Sequence, residues 1–227
     1  MTSNAYQLPE VSEVQTRLNI VRDRIRSAGG DPSAVAIVGV TKGLPAEIVG
    51  VALDVGLAEL GENYAQELVA KAAWLAEHRP NAAVQWQFIG RVQRNKVRVL
   101  SPIVALWQSV DRQAVLDEVA HRAPGARVLV QVNTTGEPQK AGCDPLVIGS
   151  LLEHGSLLGL HIVGLMTVGP TDQSIDPRPG FARLRTLVDQ HGLDRCSMGM
   201  TEDLEAAVAE GSNMVRIGRA LFGPRPS

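Results

Sequence analysis

The run Val35-Ala-Ile-Val-Gly-Val40 is a continuous apolar segment without the polar alternation of a half-exposed strand. Such a run is typical of a strand that is buried on both faces of a parallel sheet. Parallel strands have to be joined by crossover connections, and these are usually helices. The segment therefore predicts an α/β fold in which strands and helices alternate along the chain.

The flanking sequence carries the alternation that this fold requires. Upstream, Val14, Leu18, Val21 and Ile25 recur at helical spacing and predict an additional first helix over residues 10–28. Further strands are predicted at residues 57–60, 84–89, 103–107, 127–133, 159–166, 194–198 and 213–217. Further helices are predicted at residues 45–55, 64–77, 93–100, 111–121, from 144, 180–190 and 201–210, with Asp111, Asp144 and Thr201 at their starts.

Eight strands alternating with eight helices fit two architectures, a closed (β/α)8 TIM barrel and an open doubly wound sheet. We favour a single barrel with an extra N-terminal helix. No Gly-x-Gly-x-x-Gly turn follows the first strand, and several strands end in polar residues at equivalent places. Because no long linker or repeat interrupts the chain, residues 1–227 are predicted to be one domain.

Composition excludes several classes of protein. The chain has 22 Lys and Arg against 24 Asp and Glu, which offers no electrostatic basis for binding nucleic acid or an anionic membrane. The start lacks the features of a signal peptide and no apolar run approaches a membrane span, so we expect a cytoplasmic protein. Cys143 and Cys196 lack metal-ligand spacing and are expected to be reduced thiols. No metal site is predicted.

Lys42 is the most informative residue at a strand end. Active sites of such barrels lie at the carboxyl ends of the strands, and Lys42 follows the first strand directly. The chain has only four lysines, and burial at the barrel mouth would lower the pKa of this amine and make it a nucleophile. The alternative is an ordinary solvated lysine.

The turns after the seventh and eighth strands, Ser197-Met-Gly-Met-Thr201 and Ile217-Gly218-Arg219, carry a second signal. Small residues at these places let backbone N–H groups approach an anion, and barrel phosphate sites are often built there. A phosphorylated ligand is therefore predicted, unless the glycines serve only tight turns. Arg216 lies between apolar neighbours on the eighth strand and needs a partner, either a structural ion pair or a ligand nitrogen or carboxylate.

Several motifs accompany these residues along the chain. They are Val40-Thr-Lys42, Gly61-Glu-Asn-Tyr-Ala-Gln-Glu67, Trp86-Gln-Phe-Ile-Gly-Arg-Val-Gln-Arg-Asn-Lys96, Gly164-Leu-Met166, Ser197-Met-Gly-Met200 and Gly211-Ser-Asn-Met-Val-Arg-Ile-Gly218. From about residue 10 to the end, the chain resembles the YggS/PROSC family of pyridoxal phosphate homeostasis proteins. That family is similar to the barrel domain of alanine racemase, fold type III of the enzymes that use pyridoxal 5'-phosphate (PLP), and the resemblance implies PLP as cofactor.

The resemblance also implies roles for individual residues. Lys42 matches the lysine that forms the internal aldimine with PLP. Ser197, Thr201 and Gly218 match the phosphate cradle, Arg216 matches the residue that faces the pyridine nitrogen, and Asn63 and Met166 match the walls of the site. Two positions depart from the family pattern, since Gln87 stands in place of the usual His and Asn213 in place of the usual Thr. Gln87 removes a possible titrating group.

The resemblance favours a carrier over an enzyme. A racemase reaction of the alanine racemase type needs a tyrosine from an additional β domain, whereas this chain ends four residues after Gly223 and has only Tyr6 and Tyr64. A cationic Arg216 would also weaken the cofactor ring as an electron sink. We therefore expect a non-catalytic protein of PLP (vitamin B6) homeostasis, with PLP-requiring apo-enzymes as recipients.

Three questions stay open at the level of sequence. A PLP-dependent amino-acid racemase of narrow specificity is the alternative function. A class I aldolase that uses Lys42 without a cofactor is another. In the loop at residues 134–142, Lys140 is either solvated or holds a second cofactor molecule during transfer.

Overall fold

The computed structural model describes residues 6–225, which form a closed barrel of eight parallel strands in sequential order. The strands are β1 (Ala36–Val40), β2 (Glu59–Glu62), β3 (Gln85–Phe88), β4 (Val104–Val110), β5 (Arg127–Gln131), β6 (His161–Met166), β7 (Arg195–Ser197) and β8 (Met214–Ile217). Gly39 of β1 is in register with Leu60 of β2 and with Ile217 of β8, which closes the sheet. The predicted barrel is confirmed and the open sheet is wrong.

Helices connect the strands on the outside of the barrel. They are α1 (Val11–Ser27), α2 (Ile48–Asp54), α3 (Ala65–His78), α4 (Arg94–Leu100), α5 (Gln113–Arg122), α6 (Ile148–Leu157), α7 (Arg178–Gln190), α8 (Leu204–Ala209) and α9 (Arg219–Phe222), with a 3-10 turn at Pro145–Val147 before α6. The extra N-terminal helix is confirmed as α1, whose four predicted apolar residues are fully buried. It packs against α2, α8 and α9.

Alternation along the strands divides the apolar core into two layers. One face of each strand packs against the helices, and Trp107 and Phe181 are among the largest side chains buried there. The other face points into the barrel, where Val38, Leu106 and Met214 belong to a separate small cluster. Burying one such aliphatic side chain stabilises the fold by about 1.5 to 3 kcal/mol. This inner layer forms the floor beneath the barrel mouth.

Polar residues that find buried partners explain the largest errors in the predicted strands. The second strand lies at Glu59–Glu62 instead of residues 57–60, and Glu62 at its end is fully buried. The fourth strand runs on to Val110 because Gln108 and Ser109 are also buried with hydrogen-bond partners. A prediction from apolar runs ends the strand at such residues, because burial of a polar group is favourable only when it has a hydrogen-bond partner, and the local sequence does not show that partner.

The helix starts were predicted with mixed success. Asp144 accepts a hydrogen bond from the N–H of Leu146 and caps the 3-10 turn, as predicted. The predictions for Asp111 and Thr201 are wrong, because α5 and α8 begin after Arg112 and Asp203 without a side-chain cap. Helix α9 was not predicted, since a helix of four residues is too short to show a periodicity.

Two kinds of feature are absent from residues 6–225. No helix there is both long and apolar enough to cross a bilayer. No three His, Cys, Asp or Glu side chains of this part of the chain are grouped as metal ligands would be. Cys143 and Cys196 are free and buried, as expected, and burial raises the pKa of each thiol to about 12.

Candidate functional site

A cavity of about 900 Å³ opens at the carboxyl ends of the strands. This volume is within the range of small-molecule sites, about 300 to 1,000 Å³. Six of the seven predicted site residues line it, namely Lys42, Asn63, Met166, Thr201, Arg216 and Gly218. They come from five separate stretches of the chain, and closure of the barrel brings them together. Ser197 is not part of the lining.

The backbone on both sides of Lys42 is held by hydrogen bonds. The Thr41 hydroxyl donates to Glu62 Oε1 at 2.6 Å, and Lys71 Nζ donates to the Thr41 carbonyl oxygen at 2.6 Å. On the other side, the N–H of Gly43 donates to Glu67 Oε2 at 2.6 Å. The turn that carries Lys42 is therefore fixed by side chains of β2 and α3.

Glu62 and Lys71 form a buried ion pair beneath this turn. Lys71 Nζ lies 2.5 Å from Glu62 Oε1, and the two side chains are 3% and 0% exposed. Burial raises the pKa of Glu62, although the Lys71 charge and two hydrogen bonds oppose this effect. Sequence reasoning missed the pair. The available signal was that Lys71 falls between Leu68 and Leu75 on the buried face of α3.

The environment of Lys42 lowers the pKa of its amine. Partial burial lowers the pKa of Lys42, the positive charges of Arg225 and Arg216 lower it further, and the charge of Glu62 acts in the opposite sense. Arg225 comes from the end of the described chain and packs against Gly43. Its Cδ lies 3.1 Å from the place that a Cβ would take if Gly43 had one. A neutral amine in a cavity is a nucleophile for a carbonyl carbon. Arg225 carried no signal in the sequence.

Arg216 points into the barrel and is almost fully buried. Its Nη1 donates to Ser197 Oγ at 2.6 Å, and its Nη2 donates to the Thr167 carbonyl oxygen at 2.7 Å. Burial lowers the pKa of Arg216 to about 10, so the side chain stays cationic at neutral pH. Both partners are neutral, and no ion pair of Arg216 occurs within residues 6–225. Ser197 therefore lies behind Arg216 and holds it.

The turn after β7 has a shape that only glycine allows. Gly199 has φ +95°, and a Cβ there would lie 2.5 Å from the Cβ of Ala207. Beyond this turn, Asp203 Oδ1 accepts a hydrogen bond from the N–H of Met200 at 2.6 Å, which folds the segment back on itself. Because α8 begins only after Asp203, Thr201 belongs to the loop and lines the cavity.

Two of the four acidic residues on the cavity wall form ion pairs with arginines, and the other two, Asp172 and Asp203, accept hydrogen bonds from backbone N–H groups. Glu202 pairs with Arg219 at 2.8 Å, and Glu205 pairs with Arg24 at 2.6 Å. In contrast, no ion pair of Lys42 or Arg225 is formed within the described part of the chain. The cavity thus combines an amine of lowered pKa with cations that form no ion pair in the described chain, and it suits a small molecule with a carbonyl group and a negative charge.

Lys140 and Asn213 both have structural partners. Lys140 is only 14% exposed, lies 2.8 Å from Glu137 Oε1 and donates to the carbonyl of Gly169. The solvated interpretation of Lys140 is therefore wrong. Asn213 accepts a hydrogen bond from the N–H of Cys196 and donates to the Asp194 carbonyl, so it anchors the start of β7.

Sequence comparison relates this chain to a family of known proteins. The sequence model of the family described as alanine racemase, N-terminal domain, matches residues 12–226. A pyridoxal phosphate homeostasis protein of Pseudomonas aeruginosa is 40% identical over 213 residues, which cover 90% of this chain and 91% of the relative. The chain belongs to the family of pyridoxal phosphate homeostasis proteins. The predicted family membership is thereby confirmed.

Solved structures extend the comparison. PipY of Synechococcus elongatus PCC7942, solved with PLP bound, is 30% identical and superposes with a TM-score of 0.80 over 92% of this chain and 100% of PipY. Alanine racemase of Bacillus anthracis is 18% identical and superposes with a TM-score of 0.68 over 96% of this chain and 57% of the racemase. The second likeness shows that this chain shares the barrel fold of the racemase.

Proposed function

We propose that this protein binds PLP and takes part in PLP homeostasis, holding the cofactor on Lys42 without strong catalysis. The observation that carries the proposal is Lys42 itself, a half-buried amine of lowered pKa in a cavity that also contains a buried Arg216. Relatives named pyridoxal phosphate homeostasis proteins and a PLP-bound PipY support the choice of ligand.

The residues of the cavity fit the parts of PLP. Lys42 Nζ would attack the aldehyde carbon and form a Schiff base, and the aldehyde oxygen would leave as water. Thr201 and Gly218, in the loops after β7 and β8, would bind the phosphate, and Arg216 would donate to the pyridine nitrogen. The other two predicted lining residues, Asn63 and Met166, would contact the ring. Ser197 enters this proposal as the residue that holds Arg216, not as a direct phosphate ligand.

Two features support a carrier. When bound, PLP supplies an electron sink for carbanions, and a cationic Arg216 beside the pyridine nitrogen would disfavour the protonation that strengthens this sink. Neither tyrosine lines the cavity: the Tyr6 hydroxyl donates to the Phe222 carbonyl, and Tyr64 lies in a separate smaller pocket. The Lys42 amine thus has no tyrosine opposite it to act as a second acid or base.

An open cavity mouth suits exchange of the cofactor. We propose that the recipients are apo-enzymes that require PLP. Loss of the gene is then expected to disturb vitamin B6 and amino-acid pools, which metabolite measurements on a deletion strain would reveal. Unchanged pools would contradict the homeostasis role.

The decisive experiment is the visible absorption spectrum of the purified protein with added PLP. We expect a Schiff-base band for the native protein and none for Lys42→Ala. Lys96→Ala is the matched control, because Lys96 is partly exposed and lies outside the large cavity. A band that persists in Lys42→Ala, or that is missing from the native protein, would refute the assignment.

Solvent deuterium uptake distinguishes a carrier from a racemase. A racemase exchanges the α-hydrogen of its amino acid with solvent, and NMR detects deuterium at that carbon. We expect no uptake across a broad panel of amino acids with the PLP-loaded protein. Uptake on any member of the panel, lost in Lys42→Ala, would refute the non-catalytic carrier, and appearance of the opposite enantiomer of that amino acid would establish the racemase.

A further inference from the structure

A continuous chain of hydrogen bonds crosses the inside of the barrel. Arg216 Nη1 donates to Ser197 Oγ at 2.6 Å, and the Ser197 hydroxyl donates to Gln108 Oε1 at 2.7 Å. The Gln108 amide donates to Gln87 Oε1, and the Gln87 amide donates to Glu59 Oε2 at 2.6 Å. The chain thus connects β8, β7, β4, β3 and β2 and links a cation at the mouth to a carboxylate at the opposite end of the strands.

The donors of this chain all point in one direction. Each of the four hydrogen bonds runs from the Arg216 side toward Glu59, so each of the three middle groups accepts one bond and donates the next, and the Glu59 carboxylate only accepts. Hydrogen bonds in such a series polarise one another, and the effect is larger in a low-dielectric interior. The three middle members, Ser197, Gln108 and Gln87, are at most 2% exposed, whereas Glu59 is partly exposed.

Apolar side chains at these inward positions would fill the barrel without any need for hydrogen-bond partners. Buried amides are costly unless their hydrogen bonds are satisfied, and the inward positions around them hold Val38, Leu106 and Met214. Packing alone therefore does not explain why this series of polar residues lies inside the barrel. Its upper end is Arg216, the one member of the chain that lines the cavity.

We infer that Ser197, Gln108, Gln87 and Glu59 are positioning residues that hold one edge of the Arg216 guanidinium and leave its remaining N–H groups for the ligand. The Thr167 carbonyl holds the guanidinium from another side. The positioning of Arg216 is inferred from the hydrogen bonds between these residues. Only its benefit to PLP binding rests on the proposed function. Gln87 acts on the ligand through three other residues and does not touch it.

Gln87 is the best residue at which to interrupt the chain. Gln87→Leu keeps the approximate size and removes both the acceptor for Gln108 and the donor to Glu59. A neutral imidazole has one donor and one acceptor, so Gln87→His at pH 8 can rejoin the two halves. Gln131→Leu is the matched control. Gln131 is also a buried strand glutamine, but its amide donates to the Ala141 carbonyl, outside this chain.

The first readout uses the protein without PLP. Solvent exchange of the Arg216 guanidinium protons is followed by 15N NMR, with signals assigned against an Arg216→Gln variant. We expect Gln87→Leu to accelerate exchange about tenfold or more, Gln87→His to return it to within about threefold of the native rate, and Gln131→Leu to leave it unchanged. The second readout is PLP affinity, and we expect a Kd about threefold to tenfold higher for Gln87→Leu, because Arg216 is then held less firmly in place.

The two readouts separate this inference from the proposed function. If Gln87→Leu leaves the exchange of Arg216 within twofold of native, or if Gln87→His behaves like Gln87→Leu, the positioning role is wrong. If exchange changes as expected but the native protein binds no PLP, the positioning of Arg216 is confirmed and the proposed function is wrong. Should Gln87→Leu not fold, Glu59→Ala breaks the same chain at its partly exposed end, with an expected acceleration of about threefold and the same refuting result.

Discussion

The buried pair of Glu62 and Lys71 allows a quantitative prediction for Lys71→Met. Methionine keeps the length of the side chain and the helix propensity of α3, but it removes the cation and two hydrogen bonds, one to Glu62 Oε1 and one to the Thr41 carbonyl. Glu62 then stays fully buried with only the Thr41 hydroxyl as partner. Removing one member of a buried pair costs about 3 to 5 kcal/mol.

This cost is measurable by thermal and urea unfolding of the protein without PLP. For a chain of this size, 1 kcal/mol corresponds to about 2 to 4 °C in Tm, so we expect Lys71→Met to lower Tm by roughly 6 to 20 °C. Lys96→Met is the control, since Lys96 is partly exposed and a surface change costs within about 0.5 kcal/mol. The Lys71→Met variant should also bind PLP more weakly, because the turn that carries Lys42 loses a restraint.

A double variant isolates the charge from the packing. Glu62→Gln with Lys71→Met removes both charges and keeps an acceptor for Thr41. We expect it to be more stable than the sum of the two single changes predicts, by at least about 1 kcal/mol, because no uncompensated charge remains buried. If Lys71→Met lowers the free energy of unfolding by less than about 1 kcal/mol, or if the double variant is strictly additive, the buried pair does not stabilise the turn that carries Lys42.

Three other predictions concern the site and its frame. Arg225→Gln removes a positive charge that lowers the pKa of Lys42, so the pH midpoint for capture of PLP by the amine should move upward; a downward or absent shift in the rate-versus-pH profile would contradict this. Gly90→Ala would place a Cβ 2.0 Å from the carbonyl oxygen of Asn63, so it should cost at least about 2 kcal/mol in urea unfolding and weaken PLP binding. Gly149→Ala, inside α6 with no atom closer than 4.0 Å to the new Cβ, should instead stabilise the protein by about 0.5 to 1 kcal/mol in the same assay.

Much of the fold could be predicted because local spacing encodes it. The buried run before Lys42 and the helical period of α1 depend only on neighbours within a few residues. Both ends of each element were predicted to within one residue. Placement of Lys42 and Arg216 at the mouth followed from the rule that the carboxyl ends of parallel strands share one end of a barrel. The resemblance to a known family then added PLP and the individual roles.

The contacts that tune the site could not be predicted, because they join residues far apart in the chain. Ser197 and Gln108 are separated by 89 residues, and Arg216 and Thr167 by 49. A buried polar side chain is stable only when its partner arrives from another strand, and no periodicity encodes that partner. For the same reason Glu62 was missed.

The sequence by itself determined the order of the eight strands and the extra first helix, since these depend on hydrophobic spacing. Closure of the barrel decided the rest. It placed Ser197 behind Arg216 instead of in the cavity, brought Arg225 beside the Lys42 turn, and joined Gln87 to the cation at the mouth. Hydrogen bonds and charges act over a few ångströms in space, and only the folded chain defines which groups come that close.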